Sequence, residues 1–119
     1  MSASLYERLG GTEAIERIVE VLVNNHLKNP EIAKRFAEID VAKSKRAAAD
    51  FFIMGTGGPN NYTGGDMVAV HKGMNISRSE FMAVLDDAMD ALEKNNIGQR
   101  EKEEVLFILY SMKGDVTMQ

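Results

Sequence analysis

The reading of the chain turns on residues 57–74, Gly57-Gly58-Pro59-Asn60-Asn61-Tyr62-Thr63-Gly64-Gly65-Asp66-Met67-Val68-Ala69-Val70-His71-Lys72-Gly73-Met74. From Gly55 to Gly65 there are five glycines and one proline, a density that breaks regular structure and marks a long loop. Loops of this length tend to carry function. A short helix is expected from about Asp66, with Met67, Val70, His71 and Met74 along it and Gly73 ending its good helical run.

Outward from this block the chain reads as helix after helix, because apolar residues recur at spacings of three and four and no run alternates every second residue. Downstream, Ser77-Arg78-Ser79-Glu80 fits a capping box, and Phe81, Leu85, Ala88, Met89 and Leu92 form the apolar face that follows. After Asn95-Asn96-Ile97-Gly98 a last helix presents Val105, Leu106, Leu109 and Met112 before Gly114. Upstream, Asp40 caps a segment in which Ser44, Ala47, Ala48, Phe51, Phe52 and Gly55 share one side, small at its start and aromatic at its end. Asn29 as N-cap and Pro30 at the first helical position predict a helix of barely two turns through Ile32 and Phe36. Before it, Thr12 can cap a helix whose stripe is Ile15, Ile18, Val19, Leu22 and His26. The expected architecture is one all-α domain spanning 1–119.

Composition narrows the function. Apolar residues make up 45% and charged residues 27% of 119 positions, which is globular rather than disordered. The net charge is −4 with dispersed Lys and Arg, so nucleic acid is not an expected partner. There is no cysteine, which removes disulfides and thiol chemistry. No apolar run approaches the length of a bilayer span and the start of the chain lacks a signal-like stretch, so no membrane partner and a cytoplasmic location are expected. Eight methionines suit a pliable apolar lining, although such stripes are ordinarily core.

No catalytic residue is assigned. The glycines match neither the phosphate loop nor the dinucleotide fingerprint. Asp86, Asp87 and Asp90 are read as a solvated helix face opposite the apolar one, and Ser44 and Ser111 have no identifiable base. His71 is one of two histidines and by itself reads as a core or surface side chain. Zinc does not account for it, since there is no cysteine and His26 lies 45 positions away with no paired spacing. A lone histidine among apolar residues also suits a planar cofactor whose iron brings four nitrogens of its own, so that the protein adds one imidazole and an apolar slot.

At this point the sequence resembles the group I truncated haemoglobins, the two-over-two helical globins, nearly end to end. The resemblance rests on Leu5-Tyr6-Glu7-Arg8-Leu9-Gly10-Gly11, Arg35-Phe36, Asp40, Asp50-Phe51-Phe52, Gly57 through Gly64, and Met67-Val68-Ala69-Val70-His71 followed by Gly73, Ile76 and Phe81. It implies a two-over-two helical sandwich around haem b, with His71 as the proximal iron ligand and a diatomic gas as the bound species. Phe36 would pack on the porphyrin, with Phe52, Met67, Val70, Ile76, Phe81 and Leu85 lining the pocket. Lys45, Arg46 and Lys72 are candidates for the propionates. The protein would be a monomer or weak dimer, with a reductase as partner for any redox turnover.

On the distal side this chain departs from the family. The tyrosine usual in the second helix corresponds to Val23, the polar residue common on the distal helix to Ala48, the position a turn earlier to Ser44, and the site of a second histidine ligand in some members to Ala47. His26 lies three residues after Val23, about 300° of rotation further on, and is a candidate to face the haem, to donate to a bound ligand or to take the sixth coordination position. The open outcomes are oxygen binding or transport, nitric oxide or redox chemistry on the iron, and gas sensing. A haem-free helical interaction domain is the rival from another class.

Overall fold

A computed structural model describes residues 3–36, 40–62 and 76–117. Met67, Val70, His71 and Lys72, and the short helix expected to carry them, lie outside the described residues.

Helix α1 (Leu5–Leu9) begins at Ser4, whose hydroxyl accepts from the Glu7 N–H. Gly10 then turns the chain straight into α2 (Gly11–Lys28). Its φ is +108°, and a Cβ there would stand 2.7 Å from that of Ala14, so only glycine makes this junction without strain. Sequence reading places the start of α2 at Thr12 and does not foresee α1. Thr12 has a different partner: its N–H and hydroxyl both meet the Tyr6 hydroxyl, at 3.1 and 2.5 Å.

Where an α-helix of nearly two turns is expected after Asn29-Pro30, the chain makes a turn and a 3₁₀ helix, Ala33–Phe36. The Asn29 side chain accepts the Glu31 N–H at 3.0 Å, the N-cap bond the sequence leads one to expect, but after one α-type bond, Ala33 N–H to the Asn29 carbonyl at 2.8 Å, the pairing tightens to i+3 with Arg35 N–H on the Ile32 carbonyl at 3.0 Å. Helix α3 (Val41–Gly55) starts as read, with Asp40 accepting from the Lys43 N–H. Helix α4 (Arg78–Lys94) carries the complete Ser77/Glu80 capping box. Helix α5 (Gln99–Ser111) is followed at once by α6 (Lys113–Val116), so Gly114 sits within a helical turn rather than ending the helical structure. Ile76 and Thr117 form a single parallel bridge.

The helices pack as two pairs, α2 with α3 and α4 with α5, and α2 also lies along α4. Ile15, Val19 and Leu92 are almost wholly buried in the central core. Burying such side chains stabilises by about 1.5–3 kcal/mol each. The opening segment is stapled on from outside. Tyr6 N–H donates to the Thr56 carbonyl at 2.8 Å, and Gly58 lies so close that a Cβ would stand 2.5 Å from the Tyr6 ring and 2.8 Å from Ile53. Arg8 reaches Glu101 at 3.1 Å and Glu104 on α5. The first part of the glycine-rich loop is therefore held against α1.

Candidate functional site

Between the two helix pairs lies a cavity of about 490 Å³, within the size range of cofactor and small-molecule sites. Three helices line it at the same spacing. Helix α3 contributes Ser44, Ala47, Ala48, Phe51 and Phe52, a run at i, i+3, i+4, i+7 and i+8 that is one face of a helix. Helix α4 contributes Phe81, Val84, Leu85 and Ala88 by the same rule, and α2 adds Leu22, Val23 and His26. Phe36, Tyr62 and Ile76 close the ends, and Leu109, Met112 and Val116 close the floor.

Every distal candidate, Val23, His26, Ser44, Ala47 and Ala48, is on this surface, and so are Phe36, Phe52, Ile76, Phe81 and Leu85. Lys45 is not among the described residues lining it. Its ammonium meets Glu20 at 2.8 Å, because position 45 follows Ser44 by about 100° and turns toward α2's outer edge. Arg46 is likewise engaged, with Glu16 at 2.7 Å and Asp50 at 2.9 Å.

The polar part of the site is on the α2 side. His26 is buried and its ring stacks on Phe36 with centroids 5.8 Å apart. Its Nδ1 lies 2.6 Å from Asp87 Oδ2. Asn29 Nδ2 donates to the same carboxylate at 3.2 and 3.3 Å, and Asn25 Nδ2 donates to the Asp87 carbonyl and to Asp90 at 3.1 and 3.0 Å. Asp87 therefore differs from the solvated residue read from the sequence. It stands three residues after Val84 and four before Ala91, on the shoulder of the apolar stripe, and that shoulder faces α2. A histidine on an apolar stripe with asparagines one residue before and three after it was the available signal for a buried acidic partner. Burial pushes the His26 imidazole below its usual range, with Asp87 pulling the other way.

At the cavity's end, Arg35 grips Glu80 through both Nε and an η nitrogen, the latter at 2.9 Å. This clamp, aided by the Ser77 backbone, holds the Glu80 carboxyl down at about 2 and ties the 3₁₀ helix to the start of α4. A second depression, of about 600 Å³, lies open to solvent around Arg8, Arg100, Glu103 and Phe107. Its Arg8 is already paired with Glu101 and Glu104, and it lacks the apolar enclosure of the first.

A helical fold built around an apolar cavity with one buried imidazole on its wall is the globin class of architecture. The match to the bacterial-like globin model over residues 4–118 places the chain in that family. It is 33% identical over 104 residues to the group 1 truncated hemoglobin of Mycolicibacterium paratuberculosis, covering 87% of this chain and 76% of that one. Among solved structures, truncated hemoglobin from Tetrahymena pyriformis in its Fe(III) form superposes with a TM-score of 0.95 at 26% identity, over 98% of this chain and 100% of the other. The 2/2 hemoglobin of Synechococcus with covalently attached heme gives 0.89 at 29% identity, over 96% and 98%. The all-α truncated globin fold is thus established, and haem is the cofactor that goes with it. No helix of the described residues is long and apolar enough to cross a membrane.

Proposed function

We propose that this chain holds haem b in the cavity between α2, α3 and α4, with His71 as the axial ligand, and binds a diatomic gas on the opposite face. The observation that carries this reading is the fit of the walls to the group: an apolar cavity of about 490 Å³ with aromatic rings at its ends and small side chains on α3, in a chain of the globin family. The haem supplies a Lewis-acidic, redox-active iron. Phe36, Phe52, Ile76, Phe81 and Leu85 exclude water and hold the ring by packing, and the same role is proposed for Met67 and Val70. Val23, Ala47 and Ala48 leave space on the ligand side without offering a polar hydrogen. Of the propionate candidates, Lys72 is favoured over Lys45 and Arg46, whose charges are engaged with α2 and α3 carboxylates.

The proximal assignment is tested by absorption spectra of protein made with added haem: a Soret band that collapses or shifts in His71→Ala supports it, and a band indifferent to that substitution rejects it. The ligand side is tested by oxygen release. A hydrogen bond to the partly negative bound oxygen is worth about 1.5–3 kcal/mol, and no tyrosine hydroxyl makes it from position 23. Val23→Tyr is expected to slow oxygen release by about ten- to a hundredfold while changing carbon monoxide release far less. The same absence speaks against nitric oxide dioxygenation, which needs a long-lived oxygen complex, and for simple reversible binding, with a reductase needed only to keep the iron reduced. The expected setting is the cytoplasm, as a monomer or weak dimer.

A further inference from the structure

The hydrogen bonds behind His26 form a chain with a fixed direction. The Glu31 backbone N–H can only donate, so the Asn29 atom that accepts it at 3.0 Å is the carbonyl oxygen, and the amide nitrogen is turned to Asp87. The Asp87 carboxylate receives that donor on both of its oxygens and can only accept, so the second group it meets, His26 Nδ1 at 2.6 Å, is also bound as a donor. The proton of the neutral ring is thereby placed on Nδ1, and Nε2 is left with its lone pair. Among the described residues Nε2 has no hydrogen-bond partner, and no fully buried side-chain nitrogen or oxygen there lacks one. With Nδ1 committed to Asp87, Nε2 is the ring nitrogen left for the cavity that His26 lines.

We propose that His26 is a built-in hydrogen-bond acceptor on the ligand side, and that the cavity takes up small neutral acids HX, such as hydrogen sulfide or hydrogen cyanide. The inference rests on the haem reading above. The step is a proton transfer: the H–X bond breaks, the proton goes to Nε2, and the electron pair stays on X⁻, the form that ferric iron prefers. The imidazolium that results is held by the Asp87 carboxylate, the same arrangement that orients and strengthens imidazole bases elsewhere. Dioxygen brings no proton and gains nothing from such a group. The polar partner here is therefore of opposite sense to the tyrosine donor usual in the family, and the neutral ring cannot donate from Nε2 as the donor reading of His26 requires.

Asp87→Asn reverses the polarity with little change of shape. Asn29 still presents its amide nitrogen, so the new side chain must turn its oxygen to Asn29 and its nitrogen to His26, which moves the ring proton to Nε2. The first measurement is ¹⁵N resonance of the His26 ring in the diamagnetic carbon monoxide form. A bare Nε2 in the parent and a protonated one in Asp87→Asn are expected, and a protonated Nε2 in the parent overturns the proposal. The second is stopped-flow uptake of hydrogen sulfide and of hydrogen cyanide by the ferric protein. His26→Leu and Asp87→Asn are both expected to slow it by about tenfold or more, with uptake of nitric oxide, which carries no proton, within about twofold of the parent. Unchanged uptake of both acids, or equal slowing of nitric oxide, overturns the proposal. Loss of the Soret band in His71→Ala with the band kept in both His26 and Asp87 variants separates this test from that of the haem reading.

Discussion

The two long walls of the cavity are built on opposite plans. The wall of α2 and α4 is braced by a polar seam in which Asn25, His26, Asn29, Asp87 and Asp90 are tied by five hydrogen bonds between 2.6 and 3.3 Å. The wall of α3 has no such seam: Ser44, Ala47 and Ala48 leave its first half bare of bulk, Phe51 and Phe52 fill only its end, and its bonding to α2 is carried on the outside by Lys45 and Arg46. The braced wall sets where the helices stand and which way His26 faces. The bare wall sets how much room remains between them. A pocket for a large planar group needs both, since small residues make space only if something else keeps the helices from closing on it.

The sharpest way to break this contrast is Asp87→Ala, which strips the acceptor from His26 Nδ1 and Asn29 Nδ2 together. Each orphaned donor costs about 1–3 kcal/mol, and with part of the seam reachable by water the expected loss is about 3 kcal/mol, read from urea unfolding. On the bare wall Ala48→Leu is expected to behave oppositely. Its added carbons enter open space rather than packed core, so stability of the haem-free chain changes by no more than about 1 kcal/mol, while haem uptake in a titration falls. Equal destabilisation by the two substitutions would contradict the division of labour.

The smallest effect is that of pH on the braced wall. Because the folded chain favours neutral His26, the unfolded chain binds more protons below the ordinary imidazole value of 6.5, and stability rises with pH wherever that holds. The contribution is fully present above that value and declines as pH falls through and below it. Urea midpoints measured at about pH 8 and about pH 5 are expected to differ less in His26→Leu than in the parent; the Arg35–Glu80 clamp holds Glu80 at about 2, so its contribution is lost only at lower pH, outside this interval.

The bare wall was legible in the sequence and the braced one was not. Ser44, Ala47, Ala48 and Phe52 lie at helical spacing behind an Asp40 cap, and local rules of capping and periodicity assign them to one face correctly. The same rules gave α4 its capping box and Phe81 and Leu85 their orientation. They failed at Asp87 because its role depends on contacts with residues 58 and 61 positions earlier, and a carboxylate on the shoulder of a stripe looks solvated until a neighbour arrives. They failed also after Pro30, where the Asn29 cap formed but the chain tightened into a 3₁₀ helix within one turn, and at α1, whose five residues are too few for periodicity to register. Lys45 shows the limit from the other side: one residue from a lining position is enough to turn a side chain away from the cavity.

The contact of Gly58 with Tyr6 bears on how the chain assembles during synthesis. Helix α1 can rest on α2 early, but its outer side stays open until residue 58 has left the ribosome, and α2 has no α4 to cover its apolar face until far later still, since the partners of Asn25 and His26 are Asp87 and Asp90. The first quarter of the chain must therefore wait, its apolar stripe uncovered, for most of the remainder to be made. Chaperone attention during translation is expected to concentrate on the stretch from Ile15 to Leu22, and the glycine at 58 marks the moment at which α1 gains its outer cover.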